Sequence, residues 1–438
     1  MIEIERRSTH QPPQRPRHAI GPWRPVVART CIDCGLCVSV CPTNVFFFAP
    51  GRRRLAAPRA EACLGPDACG VCVPACPADA ITIPPNPNWS SLGNAEWTNA
   101  LIASTWEAGA HGALSREDPV AIGESGDGFD QLGLIAPEGV PLLIPDEVDL
   151  RVPLHHRGRQ VWIEFPVIGG AVEAGAVSAP VTLGRAMAAR ALGIFSVVPA
   201  GALAARVARY RENLALLLDE GPDGVALADL ARAAAITLRY PAAPGLWGLS
   251  DLKQRLGWLQ TLNPGALLIV EVDAAPDAPE VAVGVAHAGA HVVHLRRPPA
   301  GAPLAYTINL VHRGLQAEGV RDQVAVIASG GVRTPHDALK AVALGADACA
   351  ITTAALVALG CIPPRDPGGA LAGPPGVIAD APSFAALVDP RWVARTTVNL
   401  VLAWAAEWRR ALAVMGLPDV RALRGRTDLL AVVGRLPA

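Results

Sequence analysis

Four closely spaced cysteines are the first residues of this chain that could do chemistry. Cys31, Cys34, Cys37 and Cys41 lie in the run CIDCGLCVSVCP, with the spacing CxxCxxCxxxC and a proline directly after the last. Cysteine thiolates at this spacing, closed by proline, are typical ligands of iron–sulfur clusters. The run therefore predicts an iron–sulfur site near the N-terminus.

A second run repeats the pattern with a longer first interval. It contains Cys63, Cys69, Cys72 and Cys76, followed by Pro77. In two-cluster ferredoxins, which this segment resembles, the last cysteine of each run ligates the other cluster. We therefore predict two [4Fe–4S] clusters and name their ligands the first cysteine set (Cys31, Cys34, Cys37 and Cys76) and the second cysteine set (Cys63, Cys69, Cys72 and Cys41).

Zinc is the alternative metal that closely spaced cysteines bind. It needs four ligands per site and no proline after the fourth, whereas these runs interlock and each ends in CP. The apolar stretches NVFFF (44–48) and AITI (80–83) follow the two runs and predict the short strands of an α+β ferredoxin-like domain. We favour the cluster interpretation.

The bulk composition indicates a globular protein. Of 438 residues 51% are hydrophobic and 18% are charged, which argues against disorder, and the net charge of −1 gives no general attraction to nucleic acid. The N-terminal MIEIERRSTHQPPQRPRH has no apolar core for a signal peptide, and the apolar stretch at 399–410 is interrupted by charges. We expect a cytoplasmic protein without membrane insertion, in which the clustered thiols stay reduced.

The second half of the chain alternates between apolar runs and stretches with helical spacing, such as 179–192, 249–262, 279–290 and 334–346. This pattern predicts a parallel sheet covered by helices, and eight repeats make a (β/α)8 TIM barrel the most economical closure. An open, doubly wound sheet is the alternative. The eight predicted strands are 161–168, 193–198, 213–218, 235–240, 266–272, 291–296, 324–329 and 348–352.

Two loops of such a barrel are suited to bind a phosphate. Strand seven is followed by ASGGVRTPHDA, in which small residues leave amides exposed before Thr334 and Pro335 begin a helix, and strand eight is followed by ITTAALVALG. Amides and the helix dipole at these loops favour an anion. The predicted contacts are Ser329, Gly330, Gly331, Thr352, Thr353 and Ala354.

We predict four segments from these patterns. They are a basic arm (1–28), the two-cluster domain (29–85), a linker and lead-in (86–160), and the barrel with C-terminal helices (161–438). Residues 101–150 contain ten acids and one arginine, whereas residues 1–60 contain ten arginines and three acids. Either these charges form solvated surfaces, or the basic arm lies on the acidic linker or on a partner subunit.

The two parts together resemble the FMN-binding central domain of glutamate synthase with a ferredoxin module ahead of it. The similarity lies in the cysteine runs, SGGVRT (329–334), ALGADACAITTAALVALGC (343–361), AGAVS (174–178) and a helix-rich tail after 390. It implies FMN at the predicted phosphate loops and electron transfer between clusters and flavin. It further implies reduction of an iminoglutarate made from 2-oxoglutarate and ammonia, an electron donor or acceptor protein, and amidotransferase-like or other redox subunits.

The chain also departs from that family. Glu271 stands where members carry a lysine on strand five, the glycine-rich loops after strands two, four and six are altered, and only Cys361 remains of a further three-cysteine site. Glu271 and Asp273 are either an acid/base pair or packing partners of Arg296, and His294 is a candidate contact for an anionic ligand. We predict a divergent iron–sulfur oxidoreductase with a changed substrate. The alternatives are a catalytically silent barrel that serves as a scaffold for the ferredoxin, and authentic glutamate synthesis.

Overall fold

The structure is a computed structural model that describes most of the chain. The predicted basic arm lies outside the described residues up to residue 19. The described ranges are 20–114, 124, 127–154, 161–172, 176–202, 205–218, 226–241, 248–297, 303–364, 372–378 and 382–433.

The N-terminal third contains short elements. They are β1 (Val26–Val27), α1 (Leu36–Val40), β2 (Ile81–Thr82), α2 (Pro87–Ser90), α3 (Asn99–His111), β3 (Leu132–Leu134), β4 (Val152–Leu154) and β5 (Val161–Ile163). Strands β1 and β2 pair antiparallel, so the two ends of the cysteine-bearing segment are joined. A small core of Cys37, Val45, Phe46, Cys72 and Ile81 fills the space between them.

The predicted strand at 44–48 is only partly formed. Asn44 has a positive φ of 56°, which interrupts extended backbone directly after the first cysteine run. Val45 and Phe46 are buried, and Phe48 forms a single antiparallel bridge with Leu55. The segment is therefore one side of a short hairpin.

Eight parallel strands follow, separated by helices. The elements are β6 (Val167–Ile168), α4 (Ala179–Leu192), β7 (Ser196–Pro199), α5 (Ala205–Ala208), β8 (Leu214–Leu218), α6 (Leu227–Leu230), β9 (Ala235–Arg239), α7 (Leu249–Leu262), β10 (Leu267–Asp273), α8 (Ala278–Ala288), β11 (Val292–Arg296), α9 (Leu304–Ala317), β12 (Ala325–Ser329), α10 (Pro335–Leu344), β13 (Ala348–Ala350) and α11 (Thr352–Ala358).

These strands close into a barrel. Their order is β6-β13-β12-β11-β10-β9-β8-β7, and a parallel bridge between Gly169 and Ser196 joins the two outer strands. The amide of Gly169 donates to the carbonyl of Phe195 at 2.8 Å, which adds a hydrogen bond at the closure. The predicted (β/α)8 TIM barrel is confirmed, because every apolar run contributes one strand and both faces of each strand are buried.

The first predicted strand, 161–168, is divided in two. Val161–Ile163 pairs antiparallel with Val152–Leu154, and only Val167–Ile168 joins the barrel. Pro166 separates the two pieces, since proline lacks an amide hydrogen and cannot donate to a ladder. The lead-in thus adds a hairpin before the barrel begins.

The chain ends in α12 (Pro382–Ala385), α13 (Pro390–Val414) and β14 (Leu430–Val432). Helix α13 crosses α4 where Gly184 meets Val393, and the Trp408 indole donates to the carbonyl of Pro335 at 2.8 Å. Strand β14 pairs with β3 of the lead-in. No helix in the described ranges is long and apolar enough to cross a membrane.

Candidate functional site: two cysteine sets and the barrel mouth

The first cysteine set surrounds one cavity. Cys31, Cys34, Cys37 and Cys76 line it together with Leu55. The backbone amides of Asp33 and Ala80 lie 3.4 Å and 3.3 Å from the sulfurs of Cys31 and Cys76. Such amide donors stabilise thiolate sulfur. The fold therefore brings the last cysteine of the second run to three cysteines of the first.

The members of the second cysteine set are also neighbours of one another. Burial, together with the charges of Cys63, Cys41 and Cys69, raises the pKa of Cys72 to about 11. The backbone amide of Val45 donates to the Cys41 sulfur at 3.2 Å. Cys41, from the first run, thus lies among three cysteines of the second.

The chemistry of this donor set suits two cubane clusters. All eight cysteines are free thiols, so none is consumed in a disulfide. Four sulfurs gathered about a cavity match the four iron atoms that a [4Fe–4S] cluster presents to a protein. In the described ranges no three His, Cys, Asp or Glu side chains are arranged to hold a single metal ion.

Cys349 and Cys361 lie apart from these sets. Both are buried, and burial raises the pKa of each thiol to about 12. Cys361 packs in a small apolar cluster with Leu359 and Val377. It is a packing residue here, and the chain contains no further cysteines with which it could form another cluster.

The predicted phosphate loops leave the barrel side by side. Ser329 ends β12 and is in register with Ala350 of β13, so the segments Gly330–Gly331 and Thr352–Ala354 begin at neighbouring positions. Gly330 and Gly331 have φ values of 107° and 64°, which favour glycine. The Thr334 side chain caps α10 by accepting from the amide of Asp337 at 3.0 Å. The predicted loop geometry is therefore present.

Two side chains lie directly against the glycine pair. A Cβ added to Gly330 would be 2.4 Å from Cβ of Arg297, and one added to Gly331 would be 2.1 Å from Oδ2 of Asp127. Nη1 of Arg297 is 3.0 Å from that same oxygen of Asp127, and Nη2 of Arg297 is 3.0 Å from Oε1 of Glu96. Carboxylates of the lead-in thus occupy the space where the loop would meet an anion.

A second arginine completes this part of the mouth. Arg333 is 2% exposed, its Nη1 donates to the carbonyl of Glu96 at 2.8 Å, and its Nε is 3.4 Å from Asp337. Burial raises the pKa of Asp127 to about 6, although Arg297 opposes the shift. Guanidinium groups are donors of the kind that bind phosphate, but here Arg297 and Arg333 are paired with the chain's own carboxylates.

The barrel interior contains another ionic group. Glu271 is 1% exposed, with its carboxylate 3.1 Å from Nε of Arg239 and 3.5 Å from Nδ1 of His294. Burial lowers the pKa of His294, while Glu271 acts against this shift. His294 therefore lies inside the barrel beside a carboxylate, whereas the sequence suggested it as a contact for an anionic ligand.

Asp273 and Arg296 form a separate ion pair at the C-terminal ends of β10 and β11, nearer the mouth of the barrel. Nη2 of Arg296 is 2.6 Å from Oδ1 of Asp273, and the register joins Arg296 to Ser329. The acid/base pair considered for Glu271 and Asp273 is thus replaced by two ion pairs with different arginines. Sequence reasoning missed Arg239, which ends β9 in a run without a recognisable motif.

Comparisons with known proteins agree with this arrangement. A profile described as "Conserved region in glutamate synthase" matches residues 246–418, and one described as "4Fe-4S dicluster domain" matches residues 30–80. The first covers the barrel from α7 to the C-terminal helices, and the second covers both cysteine runs.

Curated relatives carry related names. An archaeal glutamate synthase (NADPH) of Methanocaldococcus jannaschii is 35% identical over 198 residues, which span 42% of this chain and 37% of the relative. An archaeal-type glutamate synthase (NADPH) of Thermotoga sp. strain RQ2 is 25% identical over 92% of this chain and 93% of its own length. The glutamate synthase (NADPH) large chain of Azospirillum brasilense is 30% identical over 44% of this chain and 14% of its own length.

The full-length matches are low in identity, and the altered mouth residues agree with such divergence. Iron–sulfur clusters and FMN are the cofactors of this domain combination, and the ferredoxin part implies electron-transfer partners. The chain therefore contains a glutamate synthase domain in its (β/α)8 barrel and a 4Fe–4S dicluster domain ahead of it, and it has archaeal-type glutamate synthase relatives at low identity.

Proposed function

We propose that two [4Fe–4S] clusters exchange single electrons with FMN at the barrel mouth, and that the substrate differs from 2-oxoglutarate and ammonia. The first cysteine set would hold one cluster and the second cysteine set the other. The observation that carries the proposal is the grouping of cysteines from both runs about common centres. A pair of adjacent clusters conducts electrons and needs a further group to act on a substrate.

The mouth residues would bind the flavin phosphate. Amides of Gly330 and Gly331, with the guanidinium groups of Arg297 and Arg333, supply donors for an anion. Thr352, Thr353 and Ala354, in the first turn of α11, would contribute from the neighbouring strand end. FMN, when bound, supplies a two-electron centre that also accepts single electrons. The pair of Arg296 and Asp273 lies beside Ser329 and would orient a ligand at this edge.

The charge on strand β10 supports a changed substrate. Glu271 stands where the family resemblance leads us to expect a lysine, and its carboxylate is already paired with Arg239. A dicarboxylate approaching this position would meet a negative side chain in place of an ammonium group. Like charges at close range are unfavourable inside a barrel, where screening by water is weak.

A silent barrel is the second candidate, and the occupied mouth favours it. Asp127 fills the space against Gly331, and Glu271, Arg239 and His294 fill part of the barrel interior. A barrel stabilised by its own ion pairs could hold the ferredoxin part without binding a flavin. Under either proposal the two-cluster domain (29–85), the linker and lead-in (86–160) and the barrel with C-terminal helices (161–438) are parts of a cytoplasmic protein.

One analysis of anaerobically purified full-length protein separates these candidates. Iron, sulfide and acid-released flavin are measured on the same sample. The oxidoreductase proposal expects about eight irons and about one FMN per chain. Eight irons with no flavin, even after incubation with FMN, would support the scaffold. Reduction of 2-oxoglutarate with ammonia at a rate typical of an enzyme would contradict the changed substrate.

A further inference from the structure

One cysteine of the first set reaches the surface of the ferredoxin part. Cys34 is the exposed member of the eight, and its neighbours Ile32 and Leu36 are 66% and 45% exposed. Large apolar side chains at such exposure, around a cluster ligand, leave the first cluster close to solvent. Electron transfer to another protein requires a close approach of this kind.

A short hairpin borders this opening. The bridge between Phe48 and Leu55 forms its base, and the amide of Leu55 donates to Oδ1 of Asp33 at 2.9 Å. The ring of Phe48 lies over Gly35, where an added Cβ would be 2.8 Å from Cζ. These contacts attach the hairpin to the loop of the first cysteine run, so its tip has a fixed position beside the cavity.

The hairpin tip is strongly basic. Arg52, Arg53 and Arg54 are consecutive and exposed, and none of them forms an ion pair with another described residue. Residues 20–85 contain six arginines, no lysine and four acids, and half of the arginines lie at this tip. The fold therefore concentrates positive charge on one side of the exposed cysteine.

We propose that this face is the docking surface for an electron-carrier protein with an acidic surface. The surface consists of Ile32, Cys34, Leu36, Phe48 and the tip Arg52–Arg54. Electron-transfer complexes have small interfaces, in which an apolar centre excludes water and surrounding charges steer the encounter. The basic rim selects an acidic partner, and Cys34 gives it the shortest path to the first cluster. The inference rests on the proposed cluster at the first cysteine set.

The transferred species is one electron. The reduced carrier would give up one electron and become oxidised, and the cluster that the first cysteine set would hold would take up that electron and become reduced. No bond is made or broken, and no proton is needed. The reverse transfer uses the same surface, so the proposal holds for either direction of electron flow.

The test compares two triple variants of the full-length, cluster-loaded protein. One carries Arg52→Glu, Arg53→Glu and Arg54→Glu, and the control carries the same change at Arg206, Arg209 and Arg391, three exposed arginines that line one cavity on the barrel. Cluster reduction by a photoreduced, acidic [2Fe–2S] ferredoxin is followed by stopped-flow absorption at low and high salt.

We expect the hairpin variant to lower the second-order rate constant by about tenfold or more at low salt, with a much smaller difference at high salt. The barrel control should stay near the parent rate. Equal losses in both variants, or no loss in the hairpin variant, would overturn the docking surface. The rate at which dithionite, a small reductant that needs no docking surface, reduces the clusters should be the same in the parent and in both variants. A parent protein without iron would instead overturn the proposed function, and with it this inference.

Discussion

Asp127 would control the binding of an anion at the proposed phosphate loop. Its carboxylate lies against Gly331 and pairs with Arg297, with Glu96 and Arg333 also close by. A flavin phosphate would compete for the same donors. The group therefore acts as an internal anion, and its removal should strengthen binding of an external one.

The variant Asp127→Asn tests this competition. We expect FMN to bind on the order of tenfold more tightly at pH 7.5, because the variant removes one negative charge from the site while the asparagine amide has nearly the same shape as the carboxylate. Quenching of flavin fluorescence measures the affinity, and inorganic phosphate serves as a competitor. Asp146→Asn, an exposed acid of the same lead-in, is the control and should have no effect. Weaker FMN binding by Asp127→Asn would mean that the carboxylate helps to hold the loop.

The pKa of Asp127 gives the same prediction a pH dependence. Burial raises it to about 6, so the folded protein takes up a proton at this group as the pH falls below that value. A raised pKa contributes stability that is present at low pH and lost as the pH rises through 6. Affinity for phosphate should therefore increase from pH 8 towards 5.5 in the parent, and this increase should be smaller in Asp127→Asn.

The grouping of the cysteines could be predicted at this scale, whereas the positions of the acids at the barrel mouth could not. Spacing groups the first three cysteines of each run, and the two-cluster ferredoxin pattern assigns the last cysteine of each run to the other set. Asp127 meets Arg297 across 170 residues, and Arg239 meets Glu271 across two neighbouring strands. Neither contact leaves a pattern in the sequence, since each depends on closure of the barrel and on the path of the lead-in.

At the scale of elements, the packing of α4 against α13 depends on one glycine. A Cβ on Gly184 would lie 2.5 Å from Cβ of Val393 and 2.7 Å from the carbonyl oxygen of Pro390. The backbone carbonyl cannot move aside as a flexible side chain could. The two helices can therefore approach closely only where this position has no side chain.

Replacing Gly184 with alanine should destabilise the protein by about 1–3 kcal/mol, through a forced shift of α13. Gly257 in α7 is a matched control, because nothing lies within 4 Å of its added Cβ. Gly257→Ala should stabilise by about 0.5–1 kcal/mol through the better helix propensity of alanine. Urea unfolding under anaerobic conditions measures both changes. Stabilisation by both variants would show that α13 adjusts freely.

Most elements of the barrel follow directly from hydrophobic periodicity. The predicted helices at 179–192 and 249–262 have those same bounds in the structure, since Pro180 and Gly193 mark the ends of the first and apolar spacing continues through both. The first strand was predicted as one run, and the prediction was wrong because Pro166 divides it into a hairpin strand and a barrel strand. A buried apolar run shows that a segment is internal but does not identify its pairing partner.

At the scale of the whole molecule, a buried ion-pair group connects the barrel to the C-terminal segment. Asp347 accepts from Arg321 at 2.7 Å and from Arg424 at 3.0 Å, and one of its oxygens accepts from the amide of Val326. Burial opposes ionisation of Asp347, but the two arginines lower its pKa below the usual value. Removing the charge would leave Arg321 buried without its counterion.

We expect Asp347→Asn to reduce the free energy of unfolding by about 3–5 kcal/mol at pH 7. Asp322→Asn is the control, because that carboxylate also pairs with Arg424 but is 88% exposed and should contribute about 0–1 kcal/mol. Since the pKa of Asp347 is lowered by folding, its contribution is present at neutral pH and lost in acid. The difference between parent and Asp347→Asn should therefore shrink as the pH falls below 4, and a constant difference would contradict the assignment.

The exchange of Cys41 and Cys76 between the two runs has a consequence for how the protein survives oxygen. Each cysteine run would supply three ligands to one cluster and one ligand to the other cluster. If oxidation destroyed one cluster, the run that supplies three ligands to the remaining cluster would be left with one free thiol. Damage and repair should then involve both centres together.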